Sequence, residues 1–218
     1  MSSRGSQRTR DDGRHWLPSQ GVDPAPLAEL NAECLGHLCL RATECESIAL
    51  APPLLSELRS HWASLPAQAV RRLSAAPFSL FDAGLSSAPR WLELRTRGVN
   101  DLSQRVEPAF FESSQARSIT RRMLVYGWHL ARSRPRAACL VFGSTIGVVE
   151  SLAACSLAAL EAAADRNAEV LRPRWSNQLG FWRQLLIAAS AGADQRLHEL
   201  LLGGIQRLAA ETLAGHAP

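Results

Sequence analysis

The chain has 218 residues, 46% of them hydrophobic, with a formal net charge of +4. That is enough apolar material to bury the core of one sizeable domain or two small ones, and it excludes a wholly disordered chain. No apolar run reaches the ~18 residues that a membrane span needs, so no membrane contact is expected.

All 24 basic residues are arginine, and lysine is missing altogether. Guanidinium groups suit bidentate contacts to phosphate or carboxylate, but Arg, Ala, Leu and Gly rise together in GC-rich coding sequence, which is the simpler account. Alanine and leucine dominate, only one tyrosine is present and β-branched runs are scarce. These preferences predict an all-α protein, a multi-helix orthogonal bundle. The five cysteines are Cys34, Cys39, Cys45, Cys139 and Cys155. The first fifteen residues are rich in Ser, Arg and Asp with no apolar centre, so no secretory leader is expected and a reducing cytoplasm fits the cysteines best. Cys34, Cys39 and Cys45 with His37 invite a zinc reading. No paired C-x-x-C repeat exists and the run reads as helix, so buried small hydrophobes are the expected role, with no metal and no cofactor.

Residues 1–26 are polar and punctuated by Pro18, Pro24 and Pro26, the composition of a disordered tail, with Trp16 and Leu17 as an apolar anchor for the body or a partner. From Leu27 the residues Leu27, Leu30, Cys34 and Leu38 recur at three and four, which predicts a helix to about Ala42. A second helix follows Pro52 and Pro53, with Leu54, Leu55, Leu58 and Trp62 on one face, and a third covers Pro66 to Ala75. Pro77 to Leu85 reads as an aromatic turn that plugs the core, and Ala88 to Leu94 as a helix around Trp91. Arg95 to Gln104, with Gly98-Val99-Asn100-Asp101, is a predicted loop and the expected boundary between an N-terminal helical subdomain (27–104) and a C-terminal one (105–218).

Beyond Pro108 a long helix is predicted over Ser114 to Arg132, with Ile119, Met123, Tyr126 and Leu130 inward. Ser133 is the expected cap of the next helix, which has Pro135 in its first turn and ends at Phe142-Gly143. Ser144 or Thr145 caps a helix over Ile146 to Ala154, and Ser156 caps Leu157 to about Asp165. Two helices, Asn177 to Ala189 and Ala193 to Ala214, follow Pro173. Gly203-Gly204 weakens the last of these and permits close packing.

Between Ser113 and Val149 stand Arg117, Arg121, Arg122, Arg132, Arg134 and Arg136, with no aspartate or glutamate. Such a segment points to an anionic partner, nucleic acid or acidic protein, and Ser144 and Thr145 lie close enough in sequence to join it. Ala138-Cys139, Gly143 and then Ile146, Val149 and Leu152 satisfy the small-residue, turn-glycine and apolar spacing of a helix-turn-helix. The second helix is expected to expose Thr145, Gly147, Glu150 and Ser151, none of which reads a base edge well, so the arginines would contact phosphate without reading sequence. For enzymes the inventory is poor, with no Gly-rich phosphate loop, G-x-S-x-G or H-E-x-x-H. His129 and Cys139 are the only catalytic thoughts, and a non-enzyme is the expectation. Among the six tryptophans, Trp175 and Trp182, flanked by Arg172, Arg174 and Arg183, are the expected pair at a partner interface.

The stretch HLARSRPRAACLVFG followed by STIGVVESLAACSLAALEAAADRN resembles the distal part of the FlhD family, the smaller subunit of the bacterial flagellar master transcription regulator. The matching positions are Leu130, Arg136, Ala137, Ala138, Gly143, Val148, Leu152, Ala153, Ser156, Leu157, Leu160 and Asn167, with Arg172 and Arg174 where the family shows a basic tail. The resemblance covers about fifty of the 218 residues, 126–174. It implies an all-helical, non-enzymatic regulator that dimerises and joins a larger partner on promoter DNA.

Two functions follow as expectations. One is a cytoplasmic, oligomeric transcription-regulatory protein that touches DNA phosphates through the arginines. The other is a helical adaptor, for instance an assembly component of a secretion or motility system, that binds an acidic protein partner without DNA.

Overall fold

The computed structural model describes residues 23–44, 51–96, 108–166 and 168–214, and the expectations for the tail, Trp16, Leu17, Cys45 and most of the 95–104 loop lie outside them. Among the described residues the chain is all-α. Eleven helices carry it: α1 (Ala25–Glu44), α2 (Pro53–Glu57), α3 (Arg59–Ala63), α4 (Ala67–Ser74), α5 (Ala88–Thr96), α6 (Ser113–Ser133), α7 (Pro135–Phe142), α8 (Ile146–Ala153), α9 (Leu157–Arg166), α10 (Leu179–Ala191) and α11 (Asp194–Ala214). None is long and apolar enough by itself to cross a membrane.

The apolar spacing of α1 puts Leu27, Leu30, Cys34, Leu35 and Leu38 on its buried face. The helix starts earlier than predicted because the Asp23 carboxylate accepts from the Ala25 N–H at 3.0 Å, a local cap that tolerates Pro26 in the first turn. The single helix expected after Pro53 breaks at Leu58, so that Trp62 on α3 can donate its indole N–H to the Leu54 carbonyl at 3.1 Å. Arg134, not Ser133, occupies the cap position of α7. The Ser133 hydroxyl instead donates to the His129 carbonyl, a bond within its own helix.

The aromatic turn plugs the core as expected, and it contains a short strand absent from the sequence reading. Strands β1 (Phe81–Asp82) and β2 (Arg172–Pro173) pair antiparallel, Phe81 opposite Pro173 and Asp82 opposite Arg172. Asn31, 1% exposed, pins the turn from α1: its amide donates to the Phe78 carbonyl at 3.2 Å and its oxygen accepts from the Leu80 N–H at 3.0 Å. A buried amide is stable there because its donor and acceptor both find backbone partners.

The boundary expected near residue 104 does not separate two cores. Buried apolar side chains form one cluster running from Leu27 to Leu208. Helix α10 packs on α2, α3 and α4, α6 packs on α1, and the Trp62 and Trp182 rings meet at 5.6 Å. The N-terminal helices thus share their core with the distal half, whose buried Trp182 packs into it beside Trp62 and Phe81.

The Gly203-Gly204 pair splits into two roles. A Cβ on Gly204 would lie 2.5 Å from the Phe78 ring, whereas one on Gly203 would meet open space. Gly204→Ala should therefore lower stability by about 1–3 kcal/mol through overpacking. Gly203→Ala should raise it by about 0.4–1 kcal/mol by removing backbone freedom from the unfolded chain. Urea midpoints of the two variants that move the same way would refute this assignment.

Candidate functional site

Helix α6 carries four of the six arginines. At about 100° per residue they span an arc of about 140° on its outer side, while Ala116, Ile119, Met123, Gly127 and Leu130 face the core. Arg117 and Arg121, one turn apart, converge on the same Asp165 carboxylate of α9, with Nε 3.8 Å and an Nη 3.3 Å away. Arg122 points the other way and is ion-paired with Glu33 of α1. Acids from distant helices thus answer three of the six arginines. All three pairs are about half exposed, so each contributes little to stability, about 0.2–1 kcal/mol, but each spends positive charge locally.

The other three stand together at the corner between α6 and α7. The Arg132 guanidinium lies 4.7 Å over the Trp128 ring, and that indole is itself fixed by donating to the Cys155 carbonyl at 2.9 Å. Stacking on an aromatic face holds an arginine without consuming its hydrogen-bonding edge. Arg134 occupies the cap position of α7, its N–H donating to the Leu130 carbonyl at 2.7 Å, and Arg136 is exposed in the first turn. Among the described residues no carboxylate lies within 4.0 Å of Arg132, Arg134 or Arg136. His129 is exposed on the same turn of α6. The positive end of the α7 dipole adds to this corner.

Ser144 and Thr145 do not join it. Ser144 is buried and its hydroxyl donates to the Leu85 carbonyl at 2.7 Å. Thr145 caps α8, accepting from the Val148 N–H at 3.4 Å. Gly143, with φ +54°, makes the left-handed turn between α7 and α8, and the chain changes direction there by 117°. That is the angular range of a helix-turn-helix pair. The packing of α8 differs from the expected triad, however: Val148, Val149 and Leu152 face inward and Ile146 is 41% exposed. Outward it shows Ile146, Gly147 and Glu150.

The expected tryptophan interface is also absorbed by the protein itself. Trp182 is fully buried and donates to the Arg174 carbonyl at 2.7 Å. Trp175 is half-buried and donates to Glu211 at 2.7 Å; its ring meets Phe78 and Phe181 edge to face, at 5.9 and 5.2 Å. Its φ of 49° is unusual for a bulky residue, and these contacts from three directions hold it. Arg174 is buried too. Its Nε donates to the Ser79 carbonyl at 2.8 Å, an Nη donates to the Phe142 carbonyl, and that Nη lies 4.0 Å from Asp82. Burial pulls its pKa below the ordinary arginine value, and Asp82 and Glu211 pull it back up.

Burial pushes the Cys34 thiol up and the Cys39 thiol up to about 11, which disfavours the thiolate. Burial, with a smaller contribution from nearby Glu150, also raises the Cys139 thiol. Among the described residues no group of three His, Cys, Asp or Glu residues is placed to hold a metal ion.

One feature escaped the sequence reading. Between α7 and α11 runs a shallow apolar channel lined by Cys139, Leu140, Ile205, Leu208, Ala209 and Thr212, with a cavity volume of about 40 Å³. Its sequence signal is Leu140, an apolar residue that α7 leaves exposed. No family model, curated protein or solved structure matches the chain.

Proposed function

We propose that this chain is a non-enzymatic helical adaptor, an assembly protein that binds an acidic protein partner, as an assembly component of a secretion or motility system does. The observation that carries the reading is the division of the arginine cluster. Glu33 and Asp165 engage Arg122, Arg117 and Arg121, and only the corner formed by Arg132, Arg134 and Arg136 keeps charge to offer. Three cations on a rigid corner are few for a duplex, whose affinity comes from many phosphate contacts. They are ample for steering an acidic protein surface into register. The outward face of α8, apolar with one glutamate, suits protein contact better than base readout. A cytoplasmic location goes with this reading.

A second reading, a transcription-regulatory protein akin to the FlhD family, is favoured by the 117° turn at Gly143 between α7 and α8. In that case the same three arginines touch phosphate.

The test is affinity capture from the native host after nuclease treatment, with Arg132, Arg134 and Arg136 changed together to glutamate. The adaptor reading expects one stoichiometric protein, with affinity for it falling about tenfold or more in the variant. Changing Arg117, Arg121 and Arg122 to glutamine should matter less, because their charge is already answered. Co-purifying absorbance at 260 nm, with a log-log salt slope that drops by about 0.9 per arginine removed, would transfer the case to the regulator.

A further inference from the structure

We infer that the channel between α7 and α11 seats an acidic, amphipathic α-helix contributed by a protein partner. The inference rests on the adaptor reading and adds what the partner presents and where. Leu140, 64% exposed, lines the channel, and Leu213, 74% exposed, follows directly on Thr212, which lines it from α11. Along α11, Leu202, Ile205, Ala209 and Leu213 follow one another at spacings of three and four, so they form a single stripe about 16 Å long at 1.5 Å per residue. Contiguous exposed apolar surface of this kind marks an interaction site.

The shape of the channel selects a helix. Both walls are helices whose backbone groups are already paired along their lengths, so no strand edge is offered to an extended peptide. A segment laid there must satisfy its own N–H and C=O groups, and three turns of helix do so while presenting apolar residues at i, i+3 or i+4, and i+7.

Charge sets the composition and the direction. Arg136 stands one turn before Leu140 on the same outer stripe of α7, and Arg132 and Arg134 lie just beyond it, so the channel ends in the basic corner. At the other end of α7 the chain turns at Gly143 into α8, which exposes Glu150. A partner helix therefore places its carboxylates at the start of α7 and its neutral or basic residues toward α8.

The probes are two synthetic 18-residue helical peptides with leucines at i, i+3, i+7 and i+10. One carries three glutamates at one end, and the other carries lysines at the same positions. Binding to the full-length protein is followed by fluorescence anisotropy, and occupancy of the channel by the rate of Cys139 alkylation, read by peptide mass mapping. The glutamate peptide should bind about tenfold tighter than the lysine peptide and slow Cys139 alkylation about fivefold or more. Leu140→Asp, at an exposed position where circular dichroism should remain unchanged, should abolish both effects, and Arg136→Gln should weaken them. Equal binding of the two peptides, or no protection of Cys139 by either, overturns the inference. Two further outcomes overturn it by naming another occupant: protection without peptide that vanishes in a Trp16→Ser, Leu17→Ser variant, or protection that rises with protein concentration. If a stoichiometric partner is captured and Leu140→Asp leaves its affinity untouched, the channel is the wrong surface while the adaptor reading stands.

Discussion

Arg174→Met should destabilise the protein by about 3–5 kcal/mol, the usual cost of breaking a buried charged network from one side. The Arg174 guanidinium reaches across the core to the Ser79 and Phe142 carbonyls and sits beside Asp82. Methionine fills comparable volume but leaves both carbonyls without that donor and removes the charge that offsets Asp82. The Asp82 carboxylate keeps its own turn, accepting from the N–H groups of Gly84, Leu85 and Ser86 at 3.0–3.2 Å. The damage should therefore concentrate where Arg174 ties the end of α7 to the aromatic turn. Arg174→Lys should recover only part of the loss, since one ammonium cannot span both carbonyls in the fork geometry. Urea denaturation decides it. A lysine variant as stable as the parent would mean that charge alone, not the two-pronged contact, is what the site requires.

Trp182→Ala should cost about 3–5 kcal/mol as well, by opening a large cavity. The ring contacts Trp62 at 5.6 Å and Phe81 at 6.3 Å, and its N–H satisfies the Arg174 carbonyl. Trp182→Phe preserves most of the apolar area and isolates the lost hydrogen bond, about 1–3 kcal/mol. Guanidinium titrations of both variants, with the parent alongside, measure the two contributions. If Trp182→Ala instead left stability intact and weakened partner capture, the ring would be an interface residue and its assignment to the core would fall.

Most helices were legible because their signals are local. The spacing of Leu27, Leu30, Cys34 and Leu38 requires no knowledge of what α1 packs on, and Gly143 marks a left-handed turn wherever the chain folds. The misreadings share one cause. Whether Ser144 caps, binds or packs depends on whether the Leu85 carbonyl is within reach, and that carbonyl belongs to a turn 59 residues away. Ile146 was read as inward by spacing alone, but the inward residue is Val148, because the face of α8 that is buried is set by what it packs on, α6 above all. The short β1–β2 ladder joins residues about ninety positions apart, beyond any local pattern.

The candidate site divides the same way. An acid-free run from Ser113 to Val149 is a property of the sequence, and so are the class of fold, the positions of the turns and the excess of apolar residues on α7 and α11. Which of the six arginines retain unanswered charge was decided only when α1 and α9 brought Glu33 and Asp165 to α6. The packing of α11 beside α7 likewise turned Leu140, an ordinary exposed leucine, into the wall of a channel. Periodicity and caps act within a few residues, while charge compensation and concavity exist only between elements that tertiary packing has brought together.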